Sequence, residues 1–145
     1  MTYRDRLLGN WRLVSFTAQG ADGREYHPMG EGLVGTLMYT SDGRMAVQLM
    51  GTDRPRLDSP AYGAGTEAQW AQAARSFFAY AGRFSVDETT PAVTHHVELA
   101  LNPFWCGRDQ TRRIKLEGDD LELSGESPTT SGAIDTAFVR WRRFA

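Results

Sequence analysis

The sequence predicts an all-β domain over residues 1–145, an eight-stranded antiparallel up-and-down barrel with one α-helix inserted between the third and fourth strands. Two observations carry this prediction. Short apolar or alternating runs recur between turns rich in Gly, Asp and Pro, and only one stretch changes to helical periodicity. Eight antiparallel strands joined mostly by hairpins favour closure into a barrel, because closure removes the exposed sheet edges.

The first three predicted strands precede the helix. They span residues 10–17, 33–40 and 44–50, and residues 24–32 between the first two are predicted to form a loop. Ser41-Asp42-Gly43 joins the second strand to the third, since an Asp-Gly pair adopts the positive φ that a tight hairpin needs.

The helix is predicted from Thr66 and Gln69, which have the spacing of a capping box. Apolar residues follow at helical spacing: Trp70, Ala73, Ala74, Phe77 and Phe78. With Gly82 as the end signal, we expect a helix of about four turns. Its apolar stripe is interpreted as core packing on the barrel, and the alternative is a lid formed with the Gly- and Pro-rich loop 51–65.

Five more strands are predicted after the helix, over residues 83–87, 93–101, 111–117, 121–124 and 134–142. Asn102-Pro103 ends the fifth strand, because proline cannot donate a ladder hydrogen bond. Gly118-Asp119-Asp120 is predicted to form a second tight hairpin. A barrel of eight strands has an interior just large enough for one small ligand.

Composition narrows the class of protein. A net charge of −2 gives no reason to expect nucleic acid or an anionic membrane as a partner. Residues 1–9 lack the apolar core of a signal peptide, and no run approaches the length of a membrane helix, so we expect a cytoplasmic protein. Cys106 is the single cysteine, and we expect it to be at least half-buried. A monomer and a homodimer are both compatible with the sequence.

Five segments resemble a bacterial and fungal family of lipocalin-like domains. They are LGNWRLVSF at 8–16, GTLMYTSDGRM at 35–45, YAGRF at 80–84, HHVE at 95–98 and WRR at 141–143, and they occur in the family's order. The resemblance implies a calycin-type β-barrel. It also implies that members are similar to ligand carriers, and that some such barrels act as cofactor-free cyclases or isomerases in natural-product pathways.

Trp11 lies in a Gly-x-Trp element that resembles the first-strand signature of lipocalins, where a tryptophan plugs the closed end. We therefore expect Trp11 to be structural, with Arg140 or Arg143 stacked across its ring.

Strand parity predicts which side chains face the barrel interior. Three polar residues fall on the inward faces: Tyr39, His95 and Arg112. The apolar residues expected to contact a ligand are Leu37, Met45, Val47, Phe84, Val97, Leu99, Ile114, Trp105 and Trp141. A mostly apolar wall with a few convergent polar groups is typical of a small-molecule site.

The three polar residues form a candidate catalytic set. Arg112 is suited to hold a carboxylate, an enolate or a polarised carbonyl, and His95 is expected to titrate near neutral pH and transfer a proton. Tyr39 is suited to donate a hydrogen bond to a developing oxyanion. This set predicts a cofactor-free cyclase or isomerase acting on a polyketide- or terpenoid-like substrate.

Three alternatives stay open at this stage. Each of the three polar residues is also compatible with a structural role in the barrel wall. A non-catalytic carrier or sensor of a hydrophobic metabolite would have cavity polar groups that satisfy one another. A haem-binding barrel would use His95 as the axial ligand. No metal site is expected, because His95 and His96 are adjacent on a strand and face opposite sides, and no cofactor motif occurs.

Overall fold

Eight antiparallel strands close into a barrel in the computed structural model, which describes residues 1–145. The chain has nine strands in all: β1 Gly9–Gln19, β2 Glu25–Tyr26, β3 Val34–Tyr39, β4 Arg44–Met50, β5 Phe77–Asp87, β6 Ala92–Ala100, β7 Asp109–Glu117, β8 Asp120–Pro128 and β9 Ile134–Arg143. Helix α1 spans Tyr3–Leu7, helix α2 spans Glu67–Arg75, and a 3₁₀ turn spans Pro103–Trp105. The two-residue β2 pairs only with β1 and lies outside the barrel.

The barrel closes because β1 pairs with β3 along one edge and with β9 along the other. Trp11 lies opposite Leu37 of β3, and Leu13 lies opposite Trp141 of β9. Every other neighbouring pair from β3 to β9 is consecutive in the chain, which is the up-and-down topology. The predicted all-β, eight-stranded closed barrel is confirmed.

The helix position is a correction. Helix α2 follows β4, and not the third strand, because residues 25–26 form the short strand β2 where a loop was predicted. The predicted capping box is present: the Thr66 hydroxyl accepts from the Gln69 amide at 3.2 Å, and the Thr66 amide donates to the Gln69 side chain at 2.8 Å. The helix has nine residues and ends at Arg75, so Phe77 and Phe78 belong to β5.

The exposed position of α2 is a second correction. No residue of α2 is buried, and Trp70 is half exposed, with its indole N–H donating to the Ala64 carbonyl at 2.7 Å. The predicted apolar stripe therefore does not enter the core. Its two phenylalanines enter β5 instead, where Phe78 packs against the core.

Gly82 was interpreted as a helix-end signal, but it lies in the middle of β5. A Cβ built at this position would lie 2.0 Å from the carbonyl oxygen of His96, so only glycine permits this approach of β5 to β6. The register shifts here, since Gly82 pairs with Val97 while Ala81 pairs with Leu99. Glu98 is the extra residue of this β-bulge.

The β-bulge reverses the face on which the following residues of β6 lie. Val97 is buried, but Leu99 is 68% exposed on the outer surface. The prediction that Leu99 faces the interior is therefore wrong, because simple alternation does not continue through a bulge.

Helix α1 covers one end of the barrel, which we call the closed end. Trp11 is fully buried there, and its indole N–H donates to the Leu7 carbonyl at 2.9 Å. The guanidinium of Arg143 lies 4.2 Å above the Trp11 ring and donates to the carbonyls of Leu8 at 2.7 Å and Arg6 at 2.6 Å. The structural role predicted for Trp11 is confirmed, and the stacked arginine is Arg143.

Cys106 is exposed, and the expectation that it is at least half-buried is therefore wrong. It follows directly after the 3₁₀ turn. Neither helix has the length and apolar character needed to cross a bilayer.

Candidate functional site

A cavity of about 270 Å³ lies in the barrel toward the end opposite α1, which we call the cavity end. Its wall is mostly apolar, since 12 of its 18 lining residues are hydrophobic. The volume is close to the lower limit for small-molecule sites, about 300 Å³. The cavity is therefore near the smallest size that holds a small molecule, and its wall suits a mostly apolar one.

Six of the predicted site residues line this cavity: His95, Arg112, Leu37, Val47, Trp105 and Trp141. Four predicted contact residues are buried in the core but do not line it: Met45, Phe84, Val97 and Ile114. Those four belong to the packed core, so parity identified inward-facing residues without separating the packed part of the interior from the open part.

Twelve lining residues were not predicted: Phe16, Met29, Leu49, Phe78, Tyr80, Gln110, Leu123, Glu126, Ser127, Pro128, Ala137 and Val139. Tyr80 is the most consequential of them. It was missed because the helix was extended through Phe78, although Tyr80 and Phe84 have the i, i+4 spacing that puts both on one face of a strand.

Tyr39, His95 and Tyr80 form a buried hydrogen-bonded triad that joins β3, β6 and β5. The Tyr39 hydroxyl lies 2.6 Å from Nε2 of His95, and the Tyr80 hydroxyl lies 2.6 Å from Nδ1 of the same ring. All three side chains are at most 7% exposed. Tyr39 does not line the cavity, whereas His95 and Tyr80 do. Tyr39 therefore lies behind His95, outside the cavity wall.

The triad is electrically neutral near pH 7. Burial, with a smaller contribution from the positive charge of Arg112, lowers the pKa of His95 to about 3. Burial also raises the pKa of Tyr80 to about 12 and raises that of Tyr39, while Arg112 opposes both shifts. The expectation that His95 titrates near neutral pH is therefore wrong, since its imidazole is surrounded by apolar and aromatic groups.

Arg112 on β7 is the cationic residue of the cavity wall. It is half-buried, and its guanidinium donates to the Thr111 carbonyl at 3.0 Å but has no carboxylate within 4.0 Å. The side chain crosses Gly125, where an added Cβ would lie 2.9 Å from its Cδ atom. Burial lowers the pKa of Arg112, but an arginine remains charged at any physiological pH.

The donor set does not fit a haem or metal site. Both ring nitrogens of His95 already bond to tyrosine hydroxyls, so axial ligation would break one of these bonds. His27 and His96 do not line the cavity, and no group of three or more His, Cys, Asp or Glu is placed to hold a metal ion.

A closed eight-stranded up-and-down barrel, plugged at one end by a tryptophan and open to a small apolar cavity at the other, defines the lipocalin-like class. The chain belongs to the lipocalin-like domain family, whose model matches residues 8–144. It is also similar to the 4'-hydroxy-3'-methoxypropiophenone carrier protein of Aspergillus oryzae. The two are 35% identical over 106 residues, which cover 68% of this chain and 96% of that protein.

Proposed function

We propose that this protein binds a small, mostly apolar aromatic molecule in the barrel cavity and carries it without changing it. The observation that carries the proposal is the triad, in which the one buried imidazole of the cavity wall has both nitrogens occupied by tyrosine hydroxyls. Polar groups that satisfy one another leave a wall suited to holding an apolar ligand. The similarity to a carrier of an aryl ketone supports the same conclusion.

Carriage fits the triad better than proton transfer does. A general base needs an accessible lone pair and a pKa near the working pH. His95 meets neither condition, because both nitrogens are engaged and burial holds its pKa at about 3. Tyr39, the third predicted catalytic residue, does not line the cavity.

A cofactor-free isomerase or cyclase is the second candidate, and one observation favours it. Arg112 lines the same cavity as His95 and Tyr80, and no carboxylate lies within 4.0 Å of its guanidinium. An unpaired guanidinium stabilises a developing enolate, which is the charged intermediate in an isomerisation next to a carbonyl. Under this hypothesis Tyr80 and His95 would pass the proton, and the substrate would be polyketide- or terpenoid-like.

Binding is tested by titrating the protein with 4'-hydroxy-3'-methoxypropiophenone and following tryptophan fluorescence, since Trp105 and Trp141 both line the cavity. Val47→Phe places a phenyl ring in the cavity and is expected to weaken binding at least about tenfold. Val34→Phe makes the same change on the outer surface of β3 and is expected to leave the affinity unchanged. An absence of saturable binding, or equal affinities in both variants, would contradict the proposal.

The same ketone separates carriage from catalysis. A carrier returns the ketone unchanged after incubation in D₂O, with no deuterium at the carbon next to the carbonyl above the protein-free control. Deuterium uptake at that carbon that is faster with protein, and is lost in His95→Gln and Arg112→Gln, would favour the isomerase hypothesis.

A further inference from the structure

The buried position of Tyr39 determines the direction of the hydrogen bonds in the triad. The residue is 2% exposed, and its hydroxyl has one partner, Nε2 of His95. If Nε2 carried the proton, the Tyr39 oxygen would accept it, and the tyrosine's own proton would be buried with no acceptor. A buried donor without a partner is strongly disfavoured. Tyr39 is therefore the donor and Nε2 is the acceptor.

The donor at Tyr39 also fixes the direction of the second hydrogen bond, from the imidazole of His95 to Tyr80. Because His95 is neutral and its Nε2 is an acceptor, its single ring proton is on Nδ1. That N–H donates to the hydroxyl oxygen of Tyr80 at 2.6 Å. The hydroxyl proton of Tyr80 is consequently directed away from His95, and no protein group accepts it.

Two features of the cavity wall agree with this direction. Tyr80 lines the cavity, so its free hydroxyl proton is available to an occupant. Arg112, which lines the same cavity, supplies further N–H donors without a carboxylate partner. Both groups donate hydrogen bonds, and the ligand oxygen that suits them is one that accepts.

We propose that the hydroxyl of Tyr80 recognises the ligand through an oxygen that accepts hydrogen bonds, such as the carbonyl of an aryl ketone. This inference deepens the proposed function and depends on it. Tyr80 is the specificity-determining contact, and Tyr39 is a positioning residue that acts through His95. A chain of three hydrogen bonds that run in one direction strengthens the terminal donor, because each bond polarises the next.

The experiment compares two ligands of similar shape by titration calorimetry: propiophenone, which has the carbonyl, and propylbenzene, which lacks it. We expect the wild-type protein to bind the ketone about tenfold more tightly, because the hydrocarbon leaves the Tyr80 donor without a partner. Tyr80→Phe is expected to lower this preference at least about fivefold. Tyr62→Phe, the same change on an exposed side chain, is expected to retain it.

The direction of the hydrogen bonds in the triad can be measured separately, without a ligand. The ¹⁵N chemical shifts of the His95 ring are expected to show a protonated Nδ1 and an unprotonated Nε2. Tyr39→Phe removes the hydroxyl that donates to Nε2, so Nε2 is no longer held as an acceptor. Both tautomers of His95 are then expected to appear, and the preference for the ketone is expected to fall.

Each outcome decides between the two proposals. Saturable binding of both ligands with equal affinity would overturn the inference and leave the proposed function standing. An undiminished preference in Tyr80→Phe, or a protonated Nε2 in the wild-type protein, would also overturn it. If neither ligand binds, and the ketone of the relative does not bind either, the proposed function fails and the inference fails with it.

Discussion

Trp11 and Trp141 lie on the adjacent strands β1 and β9, and both are buried, but their hydrogen bonding differs. At the closed end, the Trp11 indole donates to the Leu7 carbonyl and lies under the Arg143 guanidinium. Trp141 lines the cavity, and its Nε1 is the only fully buried side-chain nitrogen or oxygen without a hydrogen-bond partner. The same indole group is thus hydrogen-bonded at the closed end and left without an acceptor in the cavity wall.

This difference separates the part of the barrel that contributes stability from the part that is available to a ligand. The closed end satisfies its polar groups within the chain and contributes stability. The cavity wall has a guanidinium with no carboxylate within 4.0 Å, that of Arg112, and an indole N–H without an acceptor, that of Trp141. Incomplete satisfaction costs folding free energy, and natural proteins retain such groups mainly at functional sites.

The largest expected effect comes from replacing the two tryptophans separately. Trp11→Phe is expected to lower the free energy of unfolding by about 3 kcal/mol, because it removes a buried hydrogen bond and leaves a void. Trp141→Phe removes the same volume but no hydrogen bond, so we expect a loss of about 1 kcal/mol. Urea denaturation at pH 7.5 measures both values. Equal losses would show that the indole N–H of Trp11 contributes nothing to the closed end.

Acid is expected to act on the cavity end through His95. The unfolded chain protonates this residue below its ordinary pKa of 6.5, whereas the folded protein does so only below about 3. The contribution of His95 to stability is therefore complete above pH 6.5 and is lost as the pH falls from 6.5 toward 3, at about 1.4 kcal/mol per pH unit. We expect a loss of about 2 kcal/mol between pH 7.5 and pH 5.0, measured by urea denaturation.

Two histidine variants control for this interpretation. His95→Gln removes the buried titrating group, so the loss of stability between pH 7.5 and pH 5.0 should become small. His96→Gln changes the neighbouring histidine, which lies on the outer face, and should retain the loss. A loss that is the same in both variants would assign the acid sensitivity to groups other than His95.

The smallest expected effect concerns the arginine of the closed end. Arg143→Lys keeps the charge but loses the flat guanidinium that lies on Trp11 and bonds two carbonyls, so we expect a cost of about 1 kcal/mol. Arg142→Lys is the matched change in the adjacent residue, whose partner Asp120 is on the surface, and its thermal midpoint should equal that of the wild type. A midpoint of Arg143→Lys that also equals the wild type would show that a point charge alone is sufficient there.

Much of the fold could be predicted because its signals are local. The Asp-Gly turn at residues 42–43 and the capping box at Thr66 need only neighbouring residues, and both are present in the structure. Alternation along β6 placed His95 inside correctly, and it failed at Leu99 because a β-bulge intervenes. A glycine within a strand pattern is a signal for such a bulge, but at Gly82 the preceding helical spacing favours a helix end instead.

The site was harder to predict, because it depends on distances across the barrel. Parity brought His95 and Arg112 to one cavity, but it could not show that Tyr39 and Tyr80 bond to opposite nitrogens of the same imidazole. Residues 39 and 95 are 56 positions apart, and their contact is made only when β3 through β6 are in register. The pKa of His95 depends on that burial, so the expectation of a titrating histidine could not be corrected from the sequence.

The exposure of α2 has a consequence for how the molecule moves. Because this helix buries no residue, the segment 51–76 can separate from the barrel at a small cost in free energy, while β1 and β9 open only when the whole ladder breaks. Amide hydrogens of α2 should then exchange with solvent orders of magnitude faster than those at the β1–β9 seam. The chain would thus combine slow hydrogen exchange in the barrel strands with fast exchange in the segment 51–76.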